Sequence, residues 1–129
     1  LERLYAKSTG LKVLAFPSNS FKQEYDSNDD IVKEIHQNMG SADFVHIFDK
    51  TNVLGKERHP VFDFLTENLS GWLTNTIKWN YTKFLIGKDG TPLKRLAPHD
   101  SPIKFSDDIK KCCLTVTDEN NNSADQNKA

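Results

Sequence analysis

Two neighbouring side chains pose a chemical question: Trp79 and Asn80, in the run "IKWNYTKFL" from Ile77 to Leu85. An indole N–H and a carboxamide NH2 are neutral donors, and two such donors held at a rigid strand entrance can grip one anion. Lys78 precedes them and would bring positive charge to the same place. The other chemistry-capable residues are less organised. Cys112 and Cys113 are adjacent, a spacing that bridges only with strain, and two thiols build no disulfide framework. They read as ordinary thiols on a closing helix. His36, His46, His59 and His99 include no i, i+4 pair with a carboxylate partner, so surface or packing roles suit them better than metal binding. A serine nucleophile needs an adjacent base, which makes Ser18 and Ser20 poor candidates. Asn68-Leu69-Ser70, Asn80-Tyr81-Thr82 and Asn121-Asn122-Ser123 match the glycosylation pattern, a pattern common by chance, and a glycan on Asn80 would block any pocket there.

The elements that must carry these residues follow from periodicity and punctuation. "LERLYAKSTG" has apolar residues at 1, 4 and 5 and a glycine at 10, which reads as the last turns of a helix lacking an N-cap. That opening, with Leu1 rather than Met, is what a truncated product or a partial gene would give, and a processed N-terminus would look similar. "LKVLAF" is a short apolar run stopped by Pro17, as in a buried parallel strand. "SNDDIVKEIHQNM" offers a capping residue, acidic first-turn residues and apolar positions at helical spacing. "DFVHIFDKTNVLG" reads as a strand with a loop, and "HPVFDFLTENL" as a helix with Pro60 near its first turn. "YTKFLIGKDGTPLKRLAP" places two strand-like runs around Asp89-Gly90, the dipeptide of a tight hairpin. "SDDIKKCCL" closes the chain as an amphipathic helix. Residues 116–129 carry almost no apolar content and are expected to be a disordered polar tail after a domain spanning 1–115. A βα unit followed by a ββα unit predicts an α/β sandwich on a mixed sheet.

At 129 residues, the chain suits one domain with a real core. Seventeen Lys+Arg against eighteen Asp+Glu leave a net charge of −1, so no basic excess calls for nucleic acid or an anionic membrane. No apolar run is long enough to span a bilayer. The compartment is open, with the cytoplasm slightly favoured and secretion compatible, and so is the oligomeric state.

Three blocks in order, "LKVLAFPSNSFKQE", "HPVFDFL" and "IKWNYTKFLIGKDG", resemble the glutathione peroxidases. The resemblance runs from Leu1 to about Leu114. It implies a thioredoxin-like three-layer sandwich and reduction of hydroperoxides with glutathione or another thiol as co-substrate, with no resident cofactor. By the same resemblance Trp79 and Asn80 match the family's Trp and Asn beside the peroxidatic group, and Lys78 stands where some members place a base that attracts glutathione carboxylates. Departures are equally specific. Where the family loop reads Phe-Pro-Cys-Asn-Gln-Phe-Gly, this chain reads "FPSNSF" without the glycine, so Ser18 replaces the non-catalytic Cys, Ser20 takes the Gln position, and Tyr25 replaces a usual Pro. Ser20, too short to reach the nucleophile, predicts a weaker catalyst.

The resemblance also implies that the Cys or selenocysteine nucleophile, the initial strands and the first half-helix precede Leu1. One of those strands would be interior, so the sheet is expected to close up, recruit another segment or stay loosely formed. No Cys stands where thioredoxin-dependent relatives keep a resolving thiol, which favours glutathione as the reductant. The competing expectation is a non-catalytic thioredoxin-fold remnant that binds a partner or has no function.

Overall fold

The computed structural model describes residues 10–39, 45–71 and 73–112. The expected opening helix, Cys113 and the polar tail lie outside the described residues. The chain order is β1 (Val13–Ala15), α1 (Asn28–Met39), β2 (Val45–Ile47), α2 (Pro60–Asn68), β3 (Lys83–Ile86), β4 (Pro92–Leu96), a single 3-10 turn (Pro102–Phe105) and a closing helix, α3, over 106–112.

Local chemistry sets the helix starts. Ser27 Oγ accepts from the Asp30 N–H at 3.1 Å and donates to Asp30 Oδ2 at 2.7 Å, a reciprocal cap that satisfies an orphan donor of α1. Asp29 and Asp30 then sit at the positive end of the helix dipole. In α2, Pro60 occupies the first turn, where its missing N–H costs nothing. The cap there is His59, whose Nδ1 accepts from the Val61 N–H at 3.2 Å. Phe62, Leu65 and Thr66 form the buried face at i, i+3, i+4 spacing, and the Thr66 hydroxyl donates to the Phe62 carbonyl at 2.6 Å.

The strands form two ladders. β1 and β2 pair in parallel, with Val13 opposite Val45 and Leu14 opposite His46. β3 and β4 pair antiparallel, with Lys83 opposite Leu96 and Phe84 opposite Arg95. Among the described residues neither ladder hydrogen-bonds the other. The parallel and antiparallel directions of a mixed sheet are therefore both present but carried on separate pairs. The hairpin also departs from the tight two-residue turn that Asp89-Gly90 predicts. Its loop takes in residues 87–91, with a register irregularity between Leu85 and Ile86. Asp89 explains the wider turn, because its carboxylate accepts both the Thr91 N–H at 2.9 Å and the Thr91 hydroxyl at 2.8 Å. Those bonds, the backbone one foremost, hold the Asp89 carboxyl below its ordinary pKa. Gly90, at φ +87°, supplies the left-handed residue.

Two apolar clusters make the core. Val53, Phe62, Leu65 and Ile77 form one, with Phe16, Phe21, Leu54 and Phe84 packed against it. Leu85, Leu96, Phe105 and Ile109 form the other, joined by Leu11. Successive residues of β3 point to opposite faces, so Phe84 serves the first cluster and Leu85 the second. Each fully buried side chain of this size contributes about 1.5–3 kcal/mol. The hairpin thus lies between an α2 layer and an α3 layer, the layered α/β arrangement expected from the sequence.

Candidate functional site

The site begins at an anchor. Ile77 is only 4% exposed in the first core, and the chain turns outward immediately after it. Lys78 is exposed, Trp79 is 49% exposed, and Asn80 is half-buried. Tyr81 then takes a left-handed backbone, φ +63°, and the Thr82 hydroxyl donates to the Trp79 carbonyl at 3.1 Å before β3 begins. An aromatic residue in that conformation costs about 1–2 kcal/mol, so the turn is held by its surroundings.

Both site side chains reach one loop. The Trp79 ring lies 5.2 Å from the Phe21 ring, and Asn80 Nδ2 donates to Gln23 Oε1 at 2.9 Å. Trp79 and Asn80 are thereby brought together over residues 21–23, a contact that joins positions 57 apart in sequence. Gln23 is the residue that sequence reasoning passed over. Its amide stands beside Asn80, whereas Ser20 turns inward: Ser20 Oγ accepts the Ser18 hydroxyl at 2.9 Å and the Val53 N–H at 3.2 Å. The sequence did hold a carboxamide in that loop, three residues beyond Ser20, but nothing local ranked it above its neighbours. The position after Phe21, glycine in the family run, is Lys22 at φ +57°.

The arrangement is donor-rich. With Asn80 Nδ2 giving one hydrogen to Gln23, the pair retains one N–H on Asn80 and two on Gln23. The Trp79 indole N–H has no partner among the described residues, nor has the Lys78 ammonium. Neutral N–H groups gathered at one surface turn, with a lysine at the edge, suit an anion or an oxygen that gains negative charge.

Behind the turn, Arg95 fixes the approach. Its Nη1 donates to the Leu69 and Asn75 carbonyls at 3.3 and 2.7 Å, and its Nη2 to the Thr76 carbonyl at 3.0 Å. The guanidinium carbon also lies 5.4 Å from the centre of the Phe84 ring. Gly71 permits this, since a Cβ there would meet the Thr74 carbonyl at 2.2 Å and Arg95 Cζ at 3.3 Å. Partial burial lowers the Arg95 pKa from its ordinary value, and the group stays charged at neutral pH. On the far side of Arg95 lies an open groove of about 630 Å³, bordered by Lys78, Thr82, Arg95 and His99. Trp79 and Asn80 do not line it; Lys78 is the residue that touches both places by position.

The remaining candidates stand apart. Cys112 is half-buried on α3, beyond the second core. Asn68 is exposed at the end of α2, with its Nδ2 donating to the Phe64 carbonyl at 2.8 Å. Among the described residues no group of three His, Cys, Asp or Glu could hold a metal ion, and no helix is long and apolar enough to cross a membrane.

This fold has counterparts. The family model for glutathione peroxidase matches residues 1–66. The glutathione peroxidase homolog BsaA of Halalkalibacterium halodurans is 46% identical over 106 residues, covering 81% of this chain and 66% of the relative. A glutathione peroxidase of Lactococcus lactis subsp. cremoris is 42% identical over 114 residues, covering 86% of this chain and 71% of the relative. Among solved structures, T. cruzi GPX1 superposes with a TM-score of 0.52 at 30% identity, covering 87% of this chain and 65% of that one. The chain belongs to the glutathione peroxidase family. It spans about two thirds of the length of the relatives it matches, as the 66% and 65% coverages show.

Proposed function

We propose that residues 77–82 and the loop through Gln23 form the electrostatic half of a hydroperoxide-reducing site, with glutathione or another thiol as reductant. The observation that carries this is the joining of Asn80 to Gln23, with Trp79 beside it on Phe21. The reacting group is a thiolate or selenolate that attacks the terminal peroxide oxygen. An S–O or Se–O bond forms, the O–O bond breaks, and the departing alkoxide takes a proton to leave as an alcohol. Two thiols then return the oxidised nucleophile to its starting state, releasing water and a disulfide. The indole and amide N–H groups stabilise the attacking anion and the charge that builds on the leaving oxygen. Lys78, exposed at the head of the turn and at the rim of the groove, draws the carboxylates of a glutathione-like thiol.

The sequence has two cysteines, Cys112 and Cys113, and Cys112, on α3, stands apart from this cluster. The nucleophile is therefore assigned to sequence outside Leu1 to Ala129. Two measurements test this. Residues 1–129 alone should give no thiol-dependent peroxide turnover above buffer. A chimaera carrying the cysteine-bearing N-terminal segment of a relative should turn over, and Asn80→Ala should lower its rate on the order of a hundredfold. Heat-labile turnover by 1–129 that vanishes in Cys112→Ser, or a chimaera indifferent to Asn80→Ala, would overturn the proposal.

A further inference from the structure

We infer that Ser20 is a positioning residue: its hydroxyl ties the loop to the core and so sets Gln23 where Asn80 can donate to it. This rests on the reading that Asn80 belongs to the site. Several bonds close the loop upon itself. Lys22 N–H donates to the Asn19 carbonyl at 2.9 Å, Glu24 N–H to Asn19 Oδ1 at 3.3 Å, and Ser20 N–H to Ser18 Oγ at 3.2 Å. These make the loop stiff but do not say where it sits. Its placement against the rest of the molecule needs bonds that leave it. One is Thr51 N–H to the Pro17 carbonyl at 2.9 Å, at the base of the loop. The bond from Val53 N–H to Ser20 Oγ lies three residues from Gln23 and spans 33 positions of sequence.

The bond is built from buried parts. Val53 is 5% exposed and Ser18 is 7% exposed. Ser18 donates its hydroxyl to Ser20 Oγ, which leaves the Ser20 oxygen accepting two hydrogen bonds with a short, rigid reach. Beyond Ser20, Phe21 enters the first core, Lys22 makes the left-handed turn, and Gln23 emerges facing Asn80. Ser20 therefore acts on the site through the loop rather than by touching a substrate. It is not the lost amide that the sequence pattern implies; it is an anchor for the amide at 23.

The test uses 15N-labelled residues 1–129 and reads the side-chain amide resonances of Asn80 and Gln23. Gln23→Ala defines the position and solvent exchange of an Asn80 amide that has lost its acceptor. Ser20→Ala should move the Asn80 amide towards that limit and raise its exchange roughly fivefold, the factor of one net hydrogen bond. Ser20→Thr, which keeps the hydroxyl, should restore the native resonance. An Asn80 amide unmoved in Ser20→Ala while Gln23→Ala moves it, or displaced equally by Ser20→Thr, would overturn the inference. Should Ser20→Ala lose its dispersed backbone spectrum, Ser18→Ala loosens Ser20 instead, removing both the hydroxyl donor to Ser20 Oγ and the acceptor of the Ser20 N–H: a displaced Asn80 amide then supports the anchor, and a native one refutes it. No turnover is measured, so failure here is separable from failure of the peroxidase reading.

Discussion

Replacing Arg95 by alanine tests how the Trp79–Asn80 turn is approached and held. The guanidinium donates to three carbonyls, those of Leu69, Asn75 and Thr76, and stacks on Phe84. Two of those bonds lie at the surface, where freed carbonyls regain water, so each is worth the low end of about 0.5–1.5 kcal/mol. The ring contact adds about 0.5–1 kcal/mol. Together Arg95→Ala should cost about 2–3 kcal/mol. Arg95→Lys should recover about a third of it, because one ammonium cannot fan across three carbonyls and a ring. Urea unfolding followed by circular dichroism reads this directly. With a slope of about 1–3 kcal/mol per molar urea, the midpoint should fall by about 0.7–3 M. An Arg95→Ala midpoint within about 0.3 M of the parent, or an Arg95→Lys protein as stable as the parent, would show that the loop is held by something else.

Lys22 and Tyr81 both have left-handed backbones, and Tyr81 is 81% exposed, so little packing is lost by changing it. Tyr81→Asn should raise stability by about 0.5–1 kcal/mol, and Lys22→Gly by less, since glycine returns part of the gain as unfolded-state entropy; lower melting temperatures for both would contradict the strain assignment. Acid should weaken the fold for a definable reason. Asp30, Asp89, Asp100 and Asp108 all sit below the ordinary 3.8, held there chiefly by hydrogen bonds from Ser27, the Thr91 backbone, Lys104 and Lys94 respectively. A carboxylate lowered in the folded state stabilises above 3.8, and that contribution is lost as pH falls through the lowered value. The melting temperature should therefore be flat above about pH 5 and drop below pH 4, with a shallower drop in Asp89→Asn; a rise on acidification would refute this.

Much of the frame could be read along the chain because its signals are local. Ser27 with Asp30 announces α1, Pro60 announces α2, and Asp89-Gly90 marks the hairpin. His59 as a cap was not legible, since histidine is rarely an N-cap and only its ring orientation makes it one. Trp79 and Asn80 could be singled out because they are contiguous. Gln23 could not, because its importance lies in a bond across 57 positions that no periodicity reports. Ser20 looked like a loss for the same reason: its partner, Val53, is 33 residues away. Arg95 stood in the second strand-like run of the hairpin, but its three carbonyl partners lie 19 to 26 residues upstream. The separation of the strands into two ladders likewise depends on which backbones meet in space.

Ladders that share no hydrogen bond would ordinarily be free to melt one after the other. Here β3 opposes it, because Phe84 leans into the apolar cluster that Phe16, next to β1, also joins, while its neighbour Leu85 leans into the other. The hairpin is a party wall. Whatever grips the Trp79 side stiffens the side where Phe105 and Ile109 pack, and damage around Ile109 is felt at the turn that presents the indole.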